Sequence, residues 1–213
     1  MTTATLEQVL VGQPETFHTP GARQNPEWTS AIRKRPVAGP VLARELGLEG
    51  DAVANPQAHG GRDKAVMAYS RDHVAAWHSE LPDLRTDAGA FGENLAVAGL
   101  DEFSVCLGDR WRLGEVELEV SHPRQPCWKL ARLHDRPDLP KRVVATARSG
   151  WYLRVLREGP LEAGQAIETI ARPHEAWPLV RVAAIYYGTE GTASDVRELA
   201  SLPALADAWR REL

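Results

Sequence analysis

The sequence predicts a mainly β protein with flanking helices, an α+β architecture in which a β-barrel is followed by a small all-α C-terminal unit. Three observations predict it. Short alternating segments between turn signals fill most of residues 1–172. A few helical patterns interrupt them. After Arg172 the strand signals stop and only helical spacing remains through residues 173–213.

The clearest strands lie in "SVCLGDRWRLGEVELEVSHP". Leu107-Gly108-Asp109 and Leu113-Gly114-Glu115 read as turns, and Val116, Leu118 and Val120 alternate with Glu115, Glu117 and Glu119. "GWYLRVLREG" is another strand between Gly150 and Gly159. Strands at this spacing predict a mostly antiparallel sheet closed into a barrel. "YSRDHVAAWHSEL" places Val74, Trp77, His78 and Leu81 at helical spacing with Ser70 as N-cap. "CWKLARLH" predicts a helical turn starting at Cys127, and "PDLPKRVVATARSG" a helix with Pro140 early and Gly150 just past its end. In the tail, "PHEAWPLVRVAAIYYG" and "TASDVRELASLPALADAWRREL" predict two or three short helices, the second capped by Ser194 and interrupted by Pro203. Some forty residues hold no core of their own easily, so the tail is expected to pack on the barrel or on a partner chain.

Composition narrows the function. The chain has 213 residues, 43% of them apolar, with a net charge of −4. It is neither a disordered segment nor a general nucleic-acid binder. No apolar run reaches the roughly 18 residues of a membrane span, and "MTTATLEQVLVGQ" has no basic head or long apolar stretch. Two cysteines without metal-ligand spacing give no disulfide framework, so a reducing cytoplasm is expected. The charge is uneven. Between His122 and Arg148 seven Lys/Arg face two Asp, and Arg23, Arg33, Lys34 and Arg35 face only Glu27. Basic segments in an acidic protein point to a site for a small anion, or to solvated helix faces.

Four patches could carry chemistry. "AHGGRDKAV" brings Gly60 and Gly61 after His59, "GAFGENLAV" sets Phe91, Glu93 and Asn94 among glycines, and "TSAIRKRPV" offers Thr29, Ser30, Arg33 and Lys34 as phosphate contacts. The first two are equally readable as plain turns and the third as a capped surface turn. The fourth is Cys127. It stands between Pro126 and Trp128, with Arg124 and Lys129 close by and a helix start at its own position. Positive charge and a helix N-terminus both favour a thiolate, and burial against Trp128 opposes it. Cys106, in an alternating strand, reads as a packed residue. A soft thiolate suits a soft metal centre, and no cysteine or histidine partner supports zinc. A bound cofactor, a persulfide carrier and redox thiol chemistry remain open.

Together these stretches resemble the MOSC family, in particular the stand-alone bacterial YiiM-type proteins. "GDAVANPQAHGGRDKAVMAYSRDHVAAW", "GAFGENLAVAGLDEFSVCLGDRWRLG", "PRQPCWKL" and "SGWYLRVLREG" run in the family's order, and the tail resembles the three-helix extension of YiiM-type proteins. The resemblance implies a barrel that holds molybdenum cofactor (molybdopterin), with Cys127 as protein ligand to the molybdenum. It also implies reduction of N-hydroxylated compounds, including hydroxylaminopurine-type base analogues. Electrons would come from a separate flavoprotein, since no dinucleotide fingerprint or iron–sulfur cysteine set is present, and a homodimer is expected. On this basis His59 would donate a proton, Arg33, Lys34 and Arg124 would face the phosphate, and Glu93 and Asn94 the pterin. A sulfur carrier with a persulfide on Cys127, or a barrel that only binds small anions, are the rival readings.

Overall fold

The computed structural model describes residues 4–213, so the first three residues of the expected 1–172 unit lie outside the described residues. The strands are β1 (Thr5–Val11), β2 (Glu15–His18), β3 (Glu27–Ser30), β4 (Arg35–Pro36), β5 (Val41–Arg44), β6 (Gly47–Leu48), β7 (Val66–Ser70), β8 (Leu95–Ala98), β9 (Arg110–Leu113), β10 (Val116–Pro123), β11 (Trp151–Arg157), β12 (Gly159–Leu161) and β13 (Glu168–Ala171). The helices are α1 (Pro56–His59), α2 (Val74–Glu80), α3 (Trp128–Leu133), α4 (Leu139–Ala145), α5 (Leu179–Tyr186), α6 (Ala193–Ser201) and α7 (Asp207–Glu212).

Eight strands form one curled sheet in the order β13-β9-β10-β11-β7-β8-β1-β4. Every pairing is antiparallel except β7 with β8, where Ala68 lies opposite Leu95 across a crossover that contains α2. The sheet curls into a half-barrel with β13 and β4 at the ends of its strand order, and an antiparallel bridge between Thr5 and Ala166 joins the first strand to the segment before β13. Main-chain bonds narrow the gap: Leu6 N–H donates to Gln165 O at 2.9 Å, Ile167 N–H to Ala4 O at 2.9 Å, and Gly164 N–H to Leu6 O at 2.7 Å. The β9–β10 hairpin turns at Gly114-Glu115, where a φ of +58° at Gly114 suits the tight turn of a two-residue loop.

The alternating residues of β10 behave as their pattern predicts: Val116, Leu118 and Val120 are buried in the curl with Leu6, Trp111, Trp151 and Leu153. A second cluster, including Tyr69, Trp77, Phe91, Leu130, Leu139 and Val143, packs α2, α3 and α4 against the sheet. Ser70 caps as expected, its Oγ accepting from Asp72 N–H at 3.2 Å. The third cluster joins Leu107 to Trp177, Val182, Ile185, Leu199, Leu205 and Trp209, so the tail packs on the barrel. The α6 cap is Thr192, not Ser194. A capping box with Asp195 satisfies both ends of the turn there and leaves Ser194 inside the helix. Cys106 is buried and bridges to Pro178 outside the named strands, with its Sγ 3.6 Å from Glu175 O.

Candidate active site

Strand β10 runs out through Arg124 and Pro126 into α3, and Cys127 is the residue at that junction. Its backbone is extended (φ −105°, ψ 168°), and its carbonyl accepts from Leu130 N–H at 3.0 Å. It is thus the N-cap position of α3, as the pattern predicts, but its side chain makes no capping bond. Leu130 anchors the helix in the second core cluster. The free thiol is left half-buried on the wall of a cavity of about 310 Å³, within the size range of small-molecule sites.

The cavity is electropositive. Lys34, Lys64, Arg124 and Lys129 line it, against the single carboxylate of Asp51. Asp51 is already held by Lys34, whose Nζ lies 2.5 and 2.7 Å from its two oxygens. Lys64 and Lys129 donate only to carbonyls, of Ala58 and Thr29, each at 2.8 Å. Arg124 is 5% exposed, and its Nη1 is buried without a partner. Burial of a charge without compensation is costly, so this guanidinium is placed for an anion that enters from outside. His59, the last residue of α1, lines the same cavity. Burial depresses its basicity, and Lys129, Lys64 and Arg124 depress it further. The depression favours the neutral imidazole, where a ready proton donor was expected. Burial likewise pushes the Tyr152 phenol up, so it stays protonated.

The structure brings together seven of the expected residues: Cys127, His59, Phe91, Asn94, Arg124, Ser30 and Lys34 line the cavity. Five others do not. Glu93 is fully buried, and its two carboxylate oxygens accept from Gly89 N–H at 2.7 Å and Phe91 N–H at 3.0 Å. It is the brace of its own turn, not a pterin contact. That turn presses on the next segment: a Cβ on Gly89 would lie 2.6 Å from Lys34 O. Thr29 is exposed and reaches the site only through the carbonyl that Lys129 binds. Arg33 turns outward to Glu15, 3.1 Å away, and over the Phe17 ring. Gly60 and Gly61 close α1 and so aim His59: the Gly60 N–H donates to Pro56 O at 2.9 Å, and Gly61 has a φ of +94°.

Even the cavity residues differ in freedom. Phe91 stacks on Tyr69 with ring centres 4.2 Å apart. The Asn94 amide is fully used, accepting from Met67 N–H at 3.1 Å and donating to Leu10 O at 3.2 Å and Asp51 at 2.9 Å. Sequence reasoning missed Asp51, Lys64, Gln125, His122 and Tyr152. All five sit inside quoted stretches, but no local pattern joins Asp51 to Lys34, 17 residues away.

These donors suit an anionic group that brings most of a metal's ligands with it. Among the described residues no cluster of three or more His, Cys, Asp or Glu could hold a metal ion alone. A single soft thiol beside an unpaired guanidinium does fit a metal-bearing, phosphate-bearing cofactor.

Comparison with known proteins gives the family. The model of the MOSC domain matches residues 55–168, the span that contains His59, Arg124 and Cys127. The chain belongs to the MOSC family. The model of the YiiM-like, 3-alpha helix domain matches residues 177–213 of this MOSC protein. YflK of Bacillus subtilis is 36% identical over 200 residues, covering 94% of this chain and 88% of that protein. A protein of Gibberella moniliformis named Reductase is 39% identical over 181 residues, which is 83% of this chain but 32% of that protein. The crystal structure of YiiM from Geobacillus stearothermophilus superposes with a TM-score of 0.81 at 37% identity, covering 98% of this chain and 96% of that one. No described helix of the MOSC chain is long and apolar enough to cross a membrane.

Proposed function

We propose that the protein is a molybdenum-cofactor-dependent reductase of N-hydroxylated compounds, with hydroxylaminopurine-type base analogues among its substrates. The observation that carries this reading is the buried, unpartnered Nη1 of Arg124 on the wall of the cavity that also presents Cys127. Cys127 would be the protein ligand to molybdenum, and Arg124 and Lys129 would hold the anionic phosphate. Bound there, the cofactor supplies the two-electron chemistry, as cofactors do in redox enzymes. The chain holds it, orients it and handles protons. Converting N–OH to N–H takes two electrons and two protons and releases one water. His59 lines the cavity and would hold one proton; burial and then Lys129, Lys64 and Arg124 depress its basicity, and an anionic cofactor would offset the contribution of those three cations.

Electrons would come from a separate flavoprotein, and the protein would work in the cytoplasm as a homodimer. The Gibberella protein named Reductase, in which the matching region is one part of a longer chain, supports a redox role. The test is expression in a host that makes molybdenum cofactor. The expected result is about one molybdenum per chain and reduction of hydroxylaminopurine with a flavoprotein donor. Metal-free protein carrying cyanide-labile sulfur on Cys127 would overturn the reading in favour of a sulfur carrier.

A further inference from the structure

A second, smaller cavity of about 150 Å³ adjoins the first and shares His59, Lys64, Gln125, Cys127 and Tyr152 with it. His122 lines only this one. Its polar atoms can be assigned by counting protons, and the count reaches into the C-terminal helices.

The Gln125 side-chain amide meets the Tyr186 hydroxyl, and the same hydroxyl meets the Glu212 carboxylate. A carboxylate only accepts, so the single phenolic proton goes to Glu212. Burial, and then Glu212, push the Tyr186 phenol up to about 12, so that proton stays in place. The hydroxyl must then accept from Gln125. This fixes the amide with Nε2 toward Tyr186 and leaves the carbonyl Oε1 without a hydrogen bond among the described residues.

His122 is fixed in the same way. The Ser121 hydroxyl lies 2.6 Å from Asp63 O and 3.1 Å from Tyr152 O, which are both acceptors, and 2.9 Å from His122 Nδ1. Its proton goes to the carbonyls, so it accepts from Nδ1–H. Burial takes the His122 pKa to about 3, so the ring is neutral and Nε2 is a bare acceptor. His122 is 1% exposed, and Nε2 has no hydrogen bond among the described residues. Trp209 stands against its ring at 5.6 Å and stacks on Tyr186 at 4.0 Å. Lys64 spends one N–H on Ala58 O and keeps two.

The chamber wall thus carries two fixed acceptors, on Gln125 and His122, and the Lys64 donor, beside the His59 ring, the Tyr152 phenol and the Cys127 thiol. An N-hydroxylated amine or amidine head offers the complement: N–H and O–H hydrogens and an oxygen that accepts. We propose that this cavity is the recognition pocket for the N–OH head of the substrate, with Gln125 and His122 accepting from it, Lys64 donating to it, and Tyr186 and Trp209 of the C-terminal helices acting as positioning residues. The inference rests on the reductase reading for the identity of the substrate. The acceptor geometry itself stands on the hydrogen bonds of Ser121 and Tyr186 and on the neutral His122 ring that burial maintains.

The test is calorimetric titration of the full chain, purified from a host that makes the cofactor, with no electron donor present. The probes are 6-N-hydroxylaminopurine and its O-methyl ether, which lacks the O–H donor. Wild type should bind the N–OH compound at least about tenfold more tightly, as expected for a buried acceptor left unpaired by the ether. Gln125→Leu and Tyr186→Phe should each reduce that ratio to about twofold or less, at unchanged molybdenum content. The exposed variant Arg197→Ala should keep it. If wild type binds both probes alike, binds neither, or if the ratio survives in both variants, the pocket is not the recognition site. The readout needs no turnover, so absence of reductase activity would strike the proposed function and leave this result interpretable.

Discussion

Asp51 grips Lys34 with both carboxylate oxygens, at 2.5 and 2.7 Å, in a pair whose side chains are each 8% exposed. The same carboxylate takes the N–H of Gly12 at 2.7 Å and the Asn94 amide at 2.9 Å. It ties the start of the chain, the 31–34 segment and the Phe-Gly-Glu-Asn turn into one wall of the cavity. Burial pulls the Lys34 ammonium down, and Asp51 pulls it back up. Lys34→Met strands the carboxylate, and removal of one partner of a buried pair costs about 3–5 kcal/mol. Lys34→Met with Asp51→Asn should recover much of that, because the amide carbonyl still accepts from Gly12. Urea denaturation of wild type and the two variants measures both numbers. Equal stability of Lys34→Met and wild type would make the pair a surface-type contact.

Glu93 carries the second prediction. Burial raises its carboxyl, and the N–H groups of Gly89 and Phe91 oppose that rise. Glu93→Ala leaves two buried N–H groups unsatisfied, at about 1–3 kcal/mol each. Glu93→Gln keeps one acceptor and should lose about half as much. Molybdenum per folded molecule should hold in both variants. A selective loss of molybdenum with unchanged denaturation midpoint would return Glu93 to the cofactor.

Glu93 also shows what the sequence can and cannot say. Its stretch was legible as a place of importance, since glycines, a carboxylate and an amide in six residues have few uses. Which way the carboxylate points was not legible, because that depends on whether the turn's own N–H groups reach it first. Cys127 was legible in position, at the start of α3 on the cavity wall, because its signals are local: a proline, a helix start and nearby cations. The strands of β10 and β11 were legible from alternation. How the ends of the sheet meet was not, because that depends on where residues 164–167 reach the first strand. The cavity's charge was half legible. The cations stand in sequence clusters, but Asp51 and the isolation of Arg124 exist only after folding.

A pH dependence follows from His122. Its pKa is about 3 in the folded chain against an ordinary value of 6.5. Between those values the unfolded chain binds the proton and the native chain does not, so stability rises with pH there. The contribution is complete above pH 6.5 and is lost as pH falls. At about 1.4 kcal/mol per unit, the loss between pH 6.5 and 4.5 is about 2–3 kcal/mol. His122→Gln should flatten that limb of the profile, read from denaturation midpoints at half-unit steps. A mutant limb as steep as wild type would assign the acid sensitivity elsewhere.

The two cysteines should separate cleanly. Serine is close to cysteine in size, but its oxygen is harder and stays protonated near neutral pH, so it holds a soft metal poorly. Cys127→Ser should abolish reduction of hydroxylaminopurine and bound molybdenum together, with the circular dichroism of wild type. Cys106→Ser should do neither, because its Sγ meets only the Glu175 carbonyl, 3.6 Å away. Activity in folded Cys127→Ser, or equal loss in Cys106→Ser, would move the chemistry away from this junction.

Arg124 gives the sharpest contrast between stability and function. Its guanidinium is buried, Nη1 has no partner, and no carboxylate pairs with it among the described residues. In the cofactor-free chain its Nη1 is desolvated without a partner, which costs free energy that an apolar side chain of similar length does not incur. Arg124→Met keeps most of the aliphatic length. The cofactor-free variant should therefore melt higher than cofactor-free wild type, while the same variant made in a cofactor-competent host should retain little molybdenum. A structural arginine would give the opposite pattern, with lower melting temperature and unchanged metal. Thermal melts of both forms, beside metal analysis of the loaded form, decide between a residue kept for folding and one kept, against folding, for the anion it awaits.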